Sequence, residues 1–157
     1  MFKLISDDGA TFDVSENALV KLNTLKIMKE SEVDTENGIP VNGIDNCTLK
    51  NILRYIDIDL NNSEPEEKKE DNILKYVFCS SEEDFFNELS QENLFKIIQG
   101  ANFLDYPRLL NASCQVVADM IKGKTPQEIR KTFNIKNDFT PEEEEQIRKE
   151  NEWLEEK

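Results

Sequence analysis

Residues 92–121, ENLFKIIQGANFLDYPRLLNASCQVVADMI, contain two adjacent helical patterns of different width. The first predicts a helix with one buried stripe, which Ser90 caps at its start. This stripe comprises Leu94, Ile97, Ile98, Ala101 and Leu104. The second begins at about Pro107 and carries two apolar lines, Leu110, Cys114, Val117 and Ile121 on one and Leu109, Val116 and Met120 on the other. Two lines make a helix wider than a simple amphipathic one, so one line can pack on the domain while the other needs cover.

The segment that follows could supply part of this cover. Thr125-Pro126-Gln127-Glu128 and Thr140-Pro141-Glu142-Glu143 each place a capping Thr before a Pro and a Glu that can reach back to the cap, which predicts two short helices. The large apolar residues of this segment are Ile129, Phe133, Ile135, Phe139, Ile147, Trp153 and Leu154. Either the tail folds back over the uncovered line or a partner protein covers it. We favour a partner, because the last helix has almost no core face of its own.

The first quarter of the chain mixes strands with short helices. Alternating apolar residues over 2–4 and 12–14 flank Asp7-Asp8-Gly9, which predicts a β-hairpin. Two short helical pieces are expected over residues 16–28, and a brief strand at residues 39–41.

The next segment changes from a clear helix to a run of charge. Asp45 is the predicted N-cap of a helix whose buried face is Leu49, Ile52, Leu53 and Ile56. Residues 61–72, NNSEPEEKKEDN, have no apolar side chains, so a mobile acidic loop is predicted near residues 61–84. Residues 73–89 have no pattern that assigns them to a helix or a strand.

Composition narrows the class of protein. The net charge of −14 repels nucleic acid and anionic membranes, so neither is expected as a partner. The chain contains no histidine, which removes the usual general base and zinc ligand. No segment has the apolar run of a secretory signal or a membrane span. The three cysteines, Cys47, Cys79 and Cys114, are odd in number and far apart, so we expect a reducing cytoplasmic and nuclear location.

The motifs that could carry chemistry are incomplete. Gly123-Lys124-Thr125 matches the end of a phosphate-binding loop, but Ala118 stands where the first glycine is needed. Asp57-Ile58-Asp59 starts like a calcium loop, but the sixth position of that loop is not glycine and the twelfth is not glutamate. Cys114 lies on an apolar line and is expected to be a small buried hydrophobe rather than a nucleophile. We therefore predict no catalytic site, no cofactor and no metal.

Two long stretches carry a family resemblance. Residues 120–153, MIKGKTPQEIRKTFNIKNDFTPEEEEQIRKENEW, closely resemble the C-terminal signature of the S-phase kinase-associated protein 1 family, the adaptor subunits of SCF (Skp–cullin–F-box) ubiquitin ligases. Residues 92–121 resemble the helix pair that precedes this signature, whereas residues 3–14 and 39–56 match more loosely. The resemblance implies a BTB/POZ-type α+β domain over residues 1–122, followed by a two-helix C-terminal extension over 123–157 for F-box binding.

The resemblance also implies two partner surfaces on a non-catalytic adaptor. The F-box side would comprise Phe95, Ile98, Leu110, Cys114, Val117, Ile121, Ile129, Phe133, Ile135, Phe139, Ile147 and Trp153. The cullin side would centre on Asn102 and Phe103. The F-box protein would select the substrate for ubiquitination and degradation, and the cullin would carry the RING subunit.

The sequence departs from the family pattern mainly on the cullin side. Phe103 stands where relatives usually have Tyr, and Gly100 where they usually have Ala. A glycine inside a helix costs about 1 kcal/mol relative to alanine. These departures keep a second hypothesis open: a diverged POZ module that self-associates, as a homodimer when no F-box protein is bound, or sequesters F-box proteins without a cullin.

Overall fold

The computed structural model describes residues 1–31, 37–62, 68–70, 73–75 and 77–155, with side chains described over 1–31, 37–62 and 77–152. The strands in these ranges are β1 (Phe2–Ser6), β2 (Thr11–Val14), β3 (Ile39–Val41), β4 (Lys68–Glu70) and β5 (Ile73–Lys75). The helices are α1 (Glu16–Lys21), α2 (Asn23–Glu30), α3 (Asn46–Asn61), α4 (Ser80–Glu88), α5 (Gln91–Phe103), α6 (Pro107–Ile121), α7 (Pro126–Phe133) and α8 (Pro141–Glu155). The α+β class predicted from the sequence is confirmed.

The chain divides into two compact units, Met1–Asp119 and Met120–Lys157. The first contains both sheets, α1 to α5 and most of α6, and the second contains the end of α6 with α7 and α8. The sequence analysis places the boundary slightly later, after residue 122.

The predicted hairpin forms between β1 and β2, with Leu4 opposite Phe12. A three-residue loop closes it: the Ser6 N–H donates to the Ala10 carbonyl at 2.8 Å, and the Gly9 N–H donates to the Ser6 carbonyl at 2.9 Å. Gly9 has φ of +84°, a left-handed conformation that glycine adopts without steric cost. The brief strand β3 pairs in parallel with the other edge of β1, so β1 is the central strand of this sheet.

Helix α3 begins where the sequence predicts, because two aspartates satisfy its first N–H groups. Asp45 accepts from the Thr48 N–H at 2.8 Å, as an N-cap residue does. Asp8, in the hairpin loop, accepts from the Asn46 N–H at 3.1 Å. The hairpin is thereby tied to the start of the helix whose buried side chains include Leu49, Ile52, Tyr55 and Ile56.

Helix α5 packs against α3, and Gly100 lies at this contact. A Cβ atom placed on Gly100 would lie 2.8 Å from the Ile52 Cδ1 atom and 3.4 Å from the Thr48 Cγ2 atom. The absence of a side chain at residue 100 therefore gives Ile52 room in the core. The cost of about 1 kcal/mol relative to alanine is a value for exposed helix positions. At the buried residue 100, crowding of Ile52 by an added Cβ atom opposes that gain.

The predicted loop near residues 61–84 is only partly a loop. Within it, the described residues include the antiparallel strands β4 and β5, and α4 begins at Ser80. The Cys79 N–H donates to the Glu82 carboxylate at 3.0 Å, and Phe85 and Phe86 are buried, so α4 is a core helix. Residues 63–67, 71–72 and 76, on which part of the prediction falls, lie outside the described residues. The prediction was wrong at residues 80–84. The four acidic residues among 82–88 made this segment resemble a solvated loop, although it carries two aromatic residues that are buried.

A buried polar cluster, which the sequence analysis did not predict, joins α3, α4 and the start of α6. It comprises Tyr55, Asp59, Glu82, Tyr106 and Arg108. Each tyrosine hydroxyl donates to a carboxylate at 2.6 Å, Tyr55 to Glu82 and Tyr106 to Asp59. Arg108 pairs with both carboxylates, whose side chains are 1% exposed. Charges this deep in a domain require such partners, because desolvation disfavours an unpaired charge.

Candidate functional site

Helix α5 has a covered face and an outer face. Leu94, Ile97 and Ala101 are buried against the domain. Phe95 and Ile98 lie one helical turn apart on the other side, and Phe95 is 37% exposed while Ile98 is half-buried. The sequence analysis put Ile98 in the buried stripe, but the resemblance put it on the outer face, where the structure leaves it partly accessible.

Helix α6 carries two apolar lines, as predicted, but the domain buries only the start of one of them, since Val116 and Met120 on that line are half-buried. Leu109 is fully buried, and Ala112 and Ser113 beside it are buried too. Leu110, Cys114 and Val117 follow each other at helical spacing on the outer line, where none of them is buried.

Cys114 corrects one expectation from the sequence. It is an exposed free cysteine, not a buried hydrophobe. Apolar neighbours in a helical sequence identify an apolar line, but they do not show whether that line is covered. Exposure of Cys114 and partial exposure of Leu110 and Val117 instead leave an apolar strip along α6 with room for a contact.

The second unit also leaves apolar side chains accessible. Ile129 and Phe133 on α7 are half-buried, whereas Ile135 is 54% exposed and Phe139 is 49% exposed. Ile121, at the end of α6, is 43% exposed. Ile147 on α8 is 39% exposed, and the side chain of Trp153 lies outside the described residues.

Local hydrogen bonds hold the helices of the second unit at their starts. The Thr125 N–H donates to Glu128 at 2.7 Å, the Glu128 N–H donates to the Thr125 hydroxyl at 3.3 Å, and Thr140 and Glu143 form the same reciprocal pair. Hydrogen bonds from the Thr125 backbone and hydroxyl hold the pKa of the Glu128 carboxyl below its usual value. Both predicted capping boxes are confirmed.

A short bridge joins α7 to α8 within this unit. Arg130 pairs with Glu144 at 3.4 Å and lies over the Phe139 ring, 5.7 Å from its centroid. Asn137 also donates to Glu144, at 2.6 Å. The Arg130 side chain is only 21% exposed, so this bridge is partly buried, while Phe139 beneath it remains 49% exposed.

The predicted cullin-side residues lie at the C-terminal end of α5. Asn102 is exposed, and the Phe103 side chain is 49% exposed. The next residue, Leu104, is fully buried, and Asp105 adopts a left-handed conformation with φ of +51°. The chain thus turns inwards immediately after Phe103 and leaves that aromatic side chain at the surface.

Among the described residues, the exposed apolar side chains that were not predicted as site residues include Met1, Leu60 and Val77 as well as two on the first helices. Ile27 on α2 is 62% exposed, and Val20 on α1 is 51% exposed. The signal for Ile27 was present in the sequence: it lies two positions after Leu25, which places it on the opposite side of the helix from that buried residue.

Within the described part of the chain, no group of His, Cys, Asp and Glu side chains could hold a metal ion. None of the described helices combines the length and the apolar character that crossing a membrane requires. Among the described residues, many of the exposed large apolar side chains lie on helices or in the segments next to them, and such side chains are typical of protein–protein contacts.

A POZ-type domain followed by helices that expose apolar side chains defines a class of protein-binding modules. Comparison with known families is more specific: the tetramerisation domain of the Skp1 family matches residues 1–61, and the dimerisation domain of the same family matches residues 107–154. The chain belongs to the Skp1 family.

Relatives from several kingdoms cover nearly the whole chain. SKP1-like protein 11 of Arabidopsis thaliana is 40% identical, over 98% of this chain and 95% of its own length. The SCF ubiquitin ligase complex protein SKP1a of Dictyostelium discoideum is 42% identical, over 100% of this chain and 97% of its own. The E3 ubiquitin ligase complex SCF subunit sconC of Talaromyces stipitatus is 41% identical, over 98% and 96%.

Proposed function

We propose that the protein is a non-catalytic adaptor subunit of an SCF-type ubiquitin ligase, which links a cullin scaffold and its RING subunit to F-box substrate receptors. The observation that carries this proposal is full-length similarity to named SCF subunits, combined with apolar helix faces that the chain leaves uncovered. An adaptor needs two separate protein surfaces rather than a reaction centre.

The F-box surface in this proposal comprises the outer faces of α5 and α6 and the apolar residues of the second unit. Phe95, Ile98, Leu110, Cys114 and Val117 contribute from the first unit. The second unit contributes Ile121, Ile129, Phe133, Ile135, Phe139, Ile147 and Trp153. An F-box protein that packs on these residues would remove their apolar surface from water, at about 25 cal/mol per Å².

The cullin surface in this proposal centres on Asn102 and Phe103. The two departures from the family pattern near this surface are both compatible with a retained contact. Gly100 is buried against Ile52, so its change alters the core rather than the surface. Phe103 keeps an accessible aromatic ring at the position where relatives usually have Tyr.

Co-purification tests the proposal with the full-length chain. One F-box protein and one cullin N-terminal domain are added separately and together, and complexes are separated by size-exclusion chromatography. A ternary complex of one copy of each protein is the expected result. A complex with the F-box protein alone would replace the proposal by the sequestering hypothesis. Association of the chain only with itself would replace it by a self-associating POZ module.

Location is a further part of the proposal. We place the protein in the cytoplasm and the nucleus, where the exposed thiols of Cys47 and Cys114 would stay reduced. Cell fractionation followed by immunoblotting tests this, and recovery only from a secretory compartment would contradict it.

A further inference from the structure

The first turn of α2 is joined to the end of α5 by three hydrogen bonds. The Asn23 N–H donates to the Asp105 carbonyl at 3.3 Å, and the Thr24 N–H donates to the Leu104 carbonyl at 3.2 Å. The Thr24 hydroxyl donates to the Phe103 carbonyl at 3.0 Å. The N-terminal N–H groups of one helix thereby satisfy carbonyl groups that the end of another helix leaves without partners.

This junction fixes α2 beside the turn that presents Phe103. Helix α2 has no side-chain cap at its start, so the carbonyls at the end of α5 take the place of a cap. The partial positive charge of a helix N-terminus also faces the partial negative charge of a helix C-terminus, which favours the contact. Two elements that are far apart in sequence therefore form one continuous piece of surface.

Ile27 extends this surface. It lies three residues after Thr24, so the two Cβ atoms are neighbours on the helix at about 5–6 Å. Leu25, which is 1% exposed, faces the core, and Ile27, which is 62% exposed, points away from it. Ile27 is thus an accessible aliphatic side chain one helical turn beyond the residue that bonds to Phe103.

We infer that α2 forms part of the same partner surface as Asn102 and Phe103, and that Ile27 is its contact residue for the cullin N-terminal domain. This inference rests on the proposed function. The occupant is assigned by continuity, because Thr24 bonds directly to the residue at the centre of the proposed cullin surface. The other exposed aliphatic residue nearby, Val20, lies in a different setting, since it lines a small groove with Lys26, Lys29 and Glu30.

The test compares Ile27→Lys with Val20→Lys in the full-length chain. Both substitutions place a charge at an exposed aliphatic position of the same pair of helices. Dissociation constants for a cullin N-terminal domain and for one F-box protein are measured by isothermal titration calorimetry, together with the thermal midpoint of each free variant.

We expect Ile27→Lys to weaken cullin binding about tenfold or more, as a contact residue at an interface does. Val20→Lys should change it less than about twofold, F-box affinity and the midpoint should stay near the wild-type values, and Ile27→Leu should retain binding.

A third variant, Phe103→Lys, separates this inference from the proposed function. Loss of cullin binding in Phe103→Lys, with Ile27→Lys no worse than Val20→Lys, would overturn the inference and leave the function standing. A wild-type chain that does not bind the cullin domain would overturn the proposed function itself. An equal loss of F-box and cullin affinity in Ile27→Lys, or self-association that only Ile27→Lys removes, would assign Ile27 to folding or to a second copy of the chain and would overturn the inference.

Discussion

At the scale of single residues, burial changes the meaning of several side chains. From the sequence, Gly100 is expected to destabilise its helix, but in the structure it leaves space for Ile52. Cys114 is expected to be buried, but in the structure it is exposed. Arginine side chains usually lie at the surface, yet Arg108 pairs with two carboxylates that are buried in the domain. In each case the free energy depends on atoms that come from elsewhere in the chain.

Gly100→Ala tests the packing account of that glycine. Alanine gains about 1 kcal/mol in helix propensity, but its Cβ would lie 2.8 Å from the Ile52 Cδ1 atom, and overpacking of a core costs about 1–3 kcal/mol. We therefore expect Gly100→Ala to give no increase in the free energy of unfolding measured in urea.

The double variant Gly100→Ala with Ile52→Val supplies the control. Ile52→Val removes the Cδ1 atom and should by itself cost about 0.5–1.5 kcal/mol. If the two residues compete for one space, the double variant will be more stable than the sum of the single effects predicts. A Gly100→Ala variant that is clearly stabilised alone would show that the space at residue 100 is not limiting.

Arg108→Met tests the buried polar cluster. Removing the cation leaves the carboxylates of Asp59 and Glu82 with incomplete compensation in the core, and breaking such a buried pair costs about 3–5 kcal/mol. The matched control is Arg54→Met, because Arg54 pairs with Glu88 at 2.6 Å while the glutamate side chain is 58% exposed. That exposed pair should contribute far less to the free energy of unfolding, because solvent screens it. Similar losses for the two variants in chemical denaturation would contradict this account.

At the scale of elements, the helix starts are local and the helix faces are not. The caps at Ser15, Asp45, Ser90 and Thr125 each accept a hydrogen bond from an N–H three residues later. By contrast, α2 has no such cap, and the N–H groups of its first turn donate to carbonyl groups at the end of α5. An element can therefore depend on a helix that is about 80 residues away in the chain for its first hydrogen bonds.

Helix α8 has few apolar residues, and this suggests a role for Trp153 that can be measured. Its sequence PEEEEQIRKENEWLE contains only Ile147, Trp153 and Leu154 as large apolar residues, and Ile147 is 39% exposed. We expect Trp153→Ala to leave the thermal midpoint of the free protein nearly unchanged. Its F-box affinity should fall tenfold or more, since interface tryptophans often contribute about 2 kcal/mol or more.

Asn151→Ala is the matched control for this variant, because Asn151 is an exposed polar residue of the same helix. It should leave both the midpoint and the F-box affinity close to the wild-type values. A large drop in the midpoint of Trp153→Ala with unchanged affinity would make Trp153 a structural residue of the second unit.

At the scale of the whole molecule, charge sets how stability responds to pH. Hydrogen bonds from Ser6, from Thr48 and from Arg54 hold the pKa values of Asp8, Asp45 and Glu88, respectively, below their usual values. Pairing with Glu92 and Asp45 raises the pKa of Lys96 above its usual value. The lowered groups are carboxyls and the raised group is an amine, so both kinds of shift favour the charged, paired forms near neutral pH.

The expected pH dependence follows from the signs of these shifts. Each lowered carboxyl stabilises the fold above its ordinary pKa, 3.8 for aspartate and 4.5 for glutamate, and loses this effect as the pH falls through its folded-state value. The raised Lys96 contributes below its ordinary value of 10.5 and loses this effect as the pH rises through its folded-state pKa. We expect the thermal midpoint to decline below about pH 4.5 and again above about pH 10.5.

Two variants check the assignment of this profile. Asp45→Asn should flatten part of the acid decline, and Lys96→Gln should flatten part of the alkaline decline. Because both residues are substantially exposed, each effect should shrink in high salt. Profiles that neither variant changes would mean that other groups control the pH response.

The sequence alone determined the features whose causes lie within one or two helical turns. These include the caps at Asp45, Ser90 and Thr125, the hairpin around Gly9, and the two apolar lines of α6. Resemblance along the chain also identified the family, because residue order is itself the signal. Tertiary structure alone decided which residues of α6 are covered, why Gly100 suits Ile52, that Arg108 pairs with Asp59, and that α2 joins the chain at Phe103. These contacts join residues that are distant in the chain, and their energies depend on burial and direction, which neither composition nor periodicity specifies.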